Sequence, residues 1–230
     1  DHSEGDDGNS GDEGNSGDDG DSGDDDKEST PSYKGTKRND KIKGNNKSNK
    51  MYGLKGNDWL YGKLGNDVFN GGKGRDTAQF SSRNNTIKLT TTKKQNTGDG
   101  KDRLISIENV NGGGGKDKII GNKAKNVLNG QKGKDRLYGG KNDDILIGGG
   151  GKDKCWGQQG RDTFRIKRGA GYMIVKDFSD GKDRIQLGSG HKGLKLKTRG
   201  DDVYVYQRKD LMAVVEDAAG DLTRKGKYLV

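Results

Sequence analysis

The sequence predicts a turn-rich repeat chain, and three features predict it: abundant glycine, scarce apolar residues and a nine-residue period. The 230 residues include 42 glycines and a single proline, Pro31. Glycine at that level without a strict three-residue period points to many tight turns rather than to collagen. Only 25% of the residues are hydrophobic and 34% are charged, which is poor material for an ordinary core. Something besides apolar burial has to hold such a chain together. From residue 35 onward Asp40, Asn49, Asp58, Asp67 and Asp76 fall nine residues apart, with Ile42, Met51, Leu60, Phe69 and Ala78 two residues after each. A second block repeats the pattern at Asp117, Asn126, Asp135, Asp144, Asp153 and Asp162, followed by Ile119, Leu128, Leu137, Leu146, Cys155 and Phe164. A fixed period of this kind marks stacked repeats.

In chain order, residues 1–34 read as a disordered acidic Gly/Ser/Asp tail. Residues 1–28 hold thirteen Asp or Glu against Lys27 alone, with no apolar residue to fold around. A six-residue unit recurs there from Asn9, Asn15 and Asp21. It serves as a linker or as an arm that attracts calcium or docks on the chain itself. Removing that net charge of minus twelve from the overall plus nine leaves plus twenty-one on residues 29–230. A basic body of this kind implies either a solvated lysine-rich surface or a polyanionic partner.

The repeat units, such as Gly71-Gly-Lys-Gly-Arg-Asp-Thr-Ala-Gln and Gly148-Gly-Gly-Gly-Lys-Asp-Lys-Cys-Trp, resemble those of the repeats-in-toxin (RTX), or hemolysin-type calcium-binding, proteins. The resemblance covers roughly residues 35–187 in eleven units that keep register. It implies an all-β fold, a parallel β-roll or β-solenoid in which six residues of each unit form a turn, three form a strand and two units complete a coil. It also implies calcium ions between turns stacked on the same side.

The chemistry is consistent with that expectation. Calcium takes about six to eight oxygens at roughly 2.3 to 2.6 Å. A glycine-rich turn exposes carbonyls for it, and aspartate adds charge. The expected metal residues are Asp40, Asp58, Asp67, Asp76, Asp117, Asp135, Asp144, Asp153 and Asp162, with the turn glycines Gly53, Gly56, Gly71, Gly74, Gly130, Gly133, Gly148 and Gly151. Units two apart should pair, Asp40 with Asp58 or Asp135 with Asp153 for example. Asn49 and Asn126 keep an oxygen but lose charge, so their sites are expected to be weak or empty. Lys55, Lys73, Arg75, Lys116, Lys134, Lys152 and Arg161 stand near the proposed ions and should reduce affinity unless they point to water. Lys63, Ala124 and Asn142 replace expected glycines.

The first block is expected over 35–80, a strand-containing insert over 81–111, the second block over 112–165 and a C-terminal β cap over 166–230. Strand alternation sends Ile120, Tyr138 and Trp156 outward beside Lys118, Arg136 and Lys154. It also exposes Val127, Ile145 and Ile147, for which the cap is the expected cover. The segment from Lys176 to Leu187 is similar to the family's capping motif, and Asp177, Asp180 and Asp183 there offer either one further calcium site or a solvated turn. Lys227-Tyr-Leu-Val keeps the apolar triplet of the family's C-terminal export signal without its acidic residue.

Cys155 is the sole cysteine, so no intramolecular disulfide forms, and it is expected as a small core residue. With only His2 and His191, zinc sites and histidine-dependent catalysis lack material. No HExxH, GxSxG or phosphate loop ending in Gly-Lys-Ser/Thr is present, and no transmembrane segment. The expected function is a secreted, extracellular calcium-binding module that folds after export and is not an enzyme. Two alternatives stand beside it: a basic adhesin for acidic polysaccharide or an anionic cell surface, with no specific nucleic acid, and the C-terminal module of a larger secreted enzyme.

Overall fold

The computed structural model describes residues 30–167, 171–188, 193–220 and 222–230, and these contain strands and no helix. The acidic segment up to residue 29 lies outside them, as do His2 and His191. The shortest repeat strands, Lys41–Lys43, Trp59–Tyr61 and Thr77–Gln79, are three residues long because only the seventh to ninth positions alternate before the next glycine turn, and others run on through the turn, up to the fifteen residues of Ile145–Gln159. Such a strand cannot stand alone, so it pairs in parallel with the strand one full coil away.

Successive units alternate between two faces. On the first face, parallel pairing aligns Ile42 with Leu60, Leu60 with Ala78, Ala78 with Val110, Val110 with Leu128, Leu128 with Leu146 and Leu146 with Phe164. The pairing of Ala78 with Val110 carries the sheet across the insert, so the two blocks form one roll. On the second face Tyr33, Met51, Phe69 and Leu104 align, and then Ile87, Ile119, Leu137, Cys155 and Val175. The eighth-position side chains of both faces meet between the sheets, and all eleven predicted ones are buried. Each fully buried aliphatic or aromatic side chain contributes about 1.5–3 kcal/mol. Cys155 belongs to this column, and burial raises its thiol pKa well above the ordinary value.

The insert is shorter than expected. Thr86–Lys88 still pairs in parallel with Lys118–Ile120, so residues 80–88 form a further coil unit. The real excursion is a small hairpin in which Gln95 and Asn96 run antiparallel to Asp102 and Lys101.

The cap differs in position from the expected cover. Thr163–Ile166 and Gly171–Val175 extend the two faces, and Arg184–Leu187 adds one more parallel strand. Leu194–Arg199, Asp202–Gln207 and Asp210–Val215 then close the end as an antiparallel meander, with Met173–Val175 joined in parallel to Ala213–Val215. These residues continue the stack axially instead of folding back along it. Val127, Ile145 and Ile147 consequently remain half-buried on the outer surface. Tyr228–Leu229 pairs with Ile185–Gln186, and Leu229 is fully buried in the cap.

Candidate metal centre between stacked turns

Every unit places its sixth residue at the corner where turn becomes strand. The corner backbone N–H donates to the Oδ1 of the corner residue one coil later: Asp40 to Asp58, Asp58 to Asp76, Asp117 to Asp135 and Asp144 to Asp162, each at 2.8 Å. Asn49 donates likewise to Asp67 and Asn126 to Asp144 at 2.8 Å, and Asp135 to Asp153 at 2.9 Å. All seven pairs expected from the spacing are therefore direct neighbours.

These bonds occupy one carboxylate oxygen and leave the other. The Oδ2 atoms of Asp58, Asp67, Asp76, Asp117, Asp135, Asp144 and Asp162 are buried and accept no hydrogen bond. Each lies over the bare Cα of the glycine that opens its own turn. A Cβ on Gly53 would sit 2.2 Å from Asp58 Oδ2 and 2.5 Å from the Gly71 carbonyl oxygen. The same point on Gly130 is 2.2 Å from Asp135 Oδ2 and 2.7 Å from the Gly148 carbonyl, and on Gly139 it is 2.5 Å from Asp144 Oδ2 and 2.6 Å from the Gly157 carbonyl. Two acceptors thus face one small space without a donor between them, an arrangement that is costly unless a cation fills it.

Burial in this setting raises the carboxyl pKa values. Asp67, Asp117 and Asp144 reach about 7, and Asp76, Asp153 and Asp162 about 6, with desolvation the leading cause in each. Asp58 and Asp135 move upward for the same reason. Among the described residues no three His, Cys, Asp or Glu side chains group to hold a metal. A cation here would have to take most of its oxygens from the backbone, a donor set suited to calcium and unsuited to zinc. The residues present fit a calcium ion.

The fourth-position glycines let the turns of neighbouring coils approach closely. Gly74 and Gly133 have φ of 144° and 145°, and a Cβ there would lie 1.7 Å from the Gly56 carbonyl and 1.4 Å from that of Gly115. Gly56 and Gly151 are also left-handed, at 108° and 126°. Lys55, Lys73, Arg75, Lys116, Lys134, Lys152 and Arg161 are all exposed, although Arg75 donates to the Lys125 carbonyl at 2.8 Å and Lys152 lies over the Tyr172 ring. Asp40, at the open end, differs from the carboxylates whose Oδ2 lacks a donor, because its Oδ2 accepts from the Thr36 N–H at 2.7 Å.

Four copies of the RTX calcium-binding nonapeptide repeat match this chain, at residues 34–68, 43–78, 107–137 and 129–164. The chain belongs to the RTX calcium-binding repeat family. No curated protein matches it. Among solved structures it is similar to the crystal structure of the extracellular lipase LipA from Serratia marcescens, at 17% identity and a TM-score of 0.42. That match covers 84% of this chain and 38% of the lipase chain, so the chain spans less than two-fifths of that protein's length.

Several RTX corner positions escaped the sequence reading. Asn85 and Ile87 stand nine residues after Asp76 and Ala78, so the register signal was present one unit beyond the expected end of the block. Asn85 donates its N–H to Asp117 Oδ1 at 2.8 Å. Asp102 and Glu108 take the corner role after the hairpin, accepting the N–H groups of Asp67 and Asp76. They sit 35 and 32 residues along instead of 18, which hides them from a search at fixed spacing. In the cap, Asp183 accepts from Asp162 and Ser179, and Asp177 accepts from Gly157 and Gln158. Exposed Asp180 accepts from the adjacent Gly181 N–H, so Asp177 and Asp183 end the backbone ladder without it, and among the described residues the three form no common metal-holding group. Lys63 and Asn142 adopt the left-handed φ of the glycines they replace, at 70° and 67°.

Proposed function

We propose that this chain is a secreted calcium-binding RTX module whose roll is completed by calcium after export, with no catalytic centre of its own. The observation that carries the proposal is the row of buried Oδ2 atoms without donors. When bound, calcium supplies the divalent charge that those oxygens and the neighbouring carbonyls need. Asp58, Asp67, Asp76, Asp117, Asp135, Asp144, Asp153 and Asp162 provide that negative charge and lock adjacent coils through Oδ1. Gly53, Gly71, Gly130 and Gly148 leave room for the ion, and Gly56, Gly74, Gly133 and Gly151 allow the carbonyls to approach. Asp40 is the outlying member. Metal binding is then folding free energy. A chain that leaves the cell unfolded would gain its structure on meeting extracellular calcium. Each independent site at a hundredfold excess over its Kd adds about 2.7 kcal/mol of stability. Limited proteolysis of the full chain tests this: calcium should convert a rapidly digested chain into a resistant one, and equal digestion with and without calcium would refute it.

The outer surface favours a second, compatible role in binding acidic polysaccharide or an anionic cell surface. Tyr138 and Trp156 stack at 4.5 Å with an interplanar angle of 8°. Lys118 lies 5.8 Å from the Tyr138 ring, and Arg136 and Lys154 continue its column. Together with Lys116, Lys134 and Lys152 they make a ladder of positive charge repeating about every 4.8 Å, able to meet regularly spaced carboxylates or sulfates while the rings stack on sugars. Such binding should weaken steeply with salt.

A further inference from the structure

The roll contains two kinds of turn, and only one of them leaves an acceptor unpaired at its aspartate. In the glycine turns the second residue is left-handed whatever its identity: Leu54 at 78°, Gln131 at 72° and Gln158 at 69° share the positive φ of Gly72 at 95°. In the units opened by Gly35, Gly44, Phe80 and Gly121 the second residues are Thr36, Asn45, Ser81 and Asn122, and none of these is left-handed. Their side chains cap the turn instead. Thr36 Oγ1 accepts from the Arg38 N–H at 3.1 Å, Asn45 Oδ1 from Lys47 at 2.9 Å, Ser81 Oγ from Arg83 at 3.3 Å and Asn122 Oδ1 from Ala124 at 2.7 Å.

Three of these four turns have asparagine at the corner, and over Gly44 and Gly121 its Oδ1 lies where the other class has an oxygen without a donor, accepting instead from the Asn45 N–H at 2.7 Å and the Asn122 N–H at 2.8 Å. Asn85 Nδ2 donates to the carbonyls of Arg83 at 2.8 Å and Gly112 at 3.0 Å, and makes a longer contact with that of Ser81 at 3.4 Å, while its uncharged Oδ1 is buried and accepts no hydrogen bond. Gly112 opens the turn one coil on, so its carbonyl corresponds to that of Gly71 over the Asp58 cradle. Asn126 Nδ2 donates to the Glu108 carbonyl at 2.7 Å, and Asn49 Nδ2 to Asn45 Oδ1 at 2.9 Å. An aspartate in any of these places would present an acceptor to an acceptor.

Resting on the calcium reading above, we infer that hydrogen-bond donors take the place of the cation in the turns of Asn49, Asn85 and Asn126, the Asn45 and Asn122 N–H groups at the corner Oδ1 in the first and last and the Asn85 amide at the Gly112 carbonyl, so that these turns close without an ion and calcium is confined to the glycine turns. The self-capped turns lie at the N-terminal end and beside the hairpin. The stretch from Gly130 to Asp162 has glycine turns alone and depends on the ion throughout.

Hydrogen exchange of the full chain, in chelator and in calcium, tests this without any variant. The amides of Lys47, Arg83 and Ala124 should be protected in both conditions. Those of Asp117, Asp135 and Asp144 should gain about tenfold protection or more only with calcium. Asn85→Asp should lose the protection at Arg83 in chelator and raise the calcium stoichiometry measured by native mass spectrometry by one, whereas the control Asp135→Asn should lower it. Equal calcium dependence at both classes of turn, or an Asn85→Asp variant unchanged in both readouts, would overturn the inference and leave the calcium reading intact. A wild-type chain that binds no calcium at all would overturn both.

Discussion

Asp135 shows how one side chain links fold and function. Its Oδ1 ties the Asp117 N–H to the next coil, while its Oδ2 shares a space over Gly130 with the Gly148 carbonyl. Gly130→Ala would place a methyl in that space, so it should abolish one calcium site and cost about 1–3 kcal/mol, read by thermal unfolding in calcium. The raised carboxyl pKa values make a second prediction. Asp67, Asp117 and Asp144 at about 7 lie above the unfolded value of about 3.9. The folded chain therefore holds more protons than the unfolded one between those limits. Stability without calcium is fully present below pH ~4 and is lost as pH rises through ~7. Melting in calcium-free buffer should be higher at pH 5 than at pH 8. With calcium the order should reverse, because protons compete for the same oxygens. An unchanged order in calcium would mean that these carboxylates do not face the ion.

At the scale of the element, the nine-residue period allowed much to be read directly. A three-residue strand shows one inward side chain, so the inward column from Ile42 to Phe164 followed from spacing alone. Truncating one member, Leu137→Ala, should destabilise the roll by about 2–5 kcal/mol in chemical unfolding, since its neighbours Ile119 and Cys155 are held in register and cannot collapse into the gap. The corner aspartates were legible for the same reason. What was not legible depended on breaks in the period: Asp102 and Glu108 enter the ladder only through a hairpin whose length no periodic rule supplies. The capped turns at Thr36, Asn45, Ser81 and Asn122 look like degenerate repeats in sequence, because their logic lies in which donor meets which acceptor. The cap strands were legible as alternation, but their axial placement needed long-range pairing that alternation does not encode.

For the whole molecule, a narrow apolar column between two sheets is joined to two rows of acidic corners and wrapped in exposed lysine and arginine. The apolar column alone is too thin to support a chain with 25% hydrophobic residues, and the rows of Oδ2 atoms repel one another until they are neutralised. The basic outer ladder predicts that binding to a sulfated polysaccharide falls sharply between low and physiological salt, and that Trp156→Ala weakens it further with no loss of calcium stoichiometry. Binding that is indifferent to salt would remove the polyanion role. The central claim is that calcium completes the fold. Far-UV circular dichroism of the full chain during a calcium titration, with magnesium as control and chelator to reverse it, tests that claim most directly. The account predicts a cooperative gain of β signal with calcium and not with magnesium, over a residual signal from the self-capped turns, with the gain lost again on chelation; a chain with its full β signal in chelator, unchanged by calcium, would contradict it.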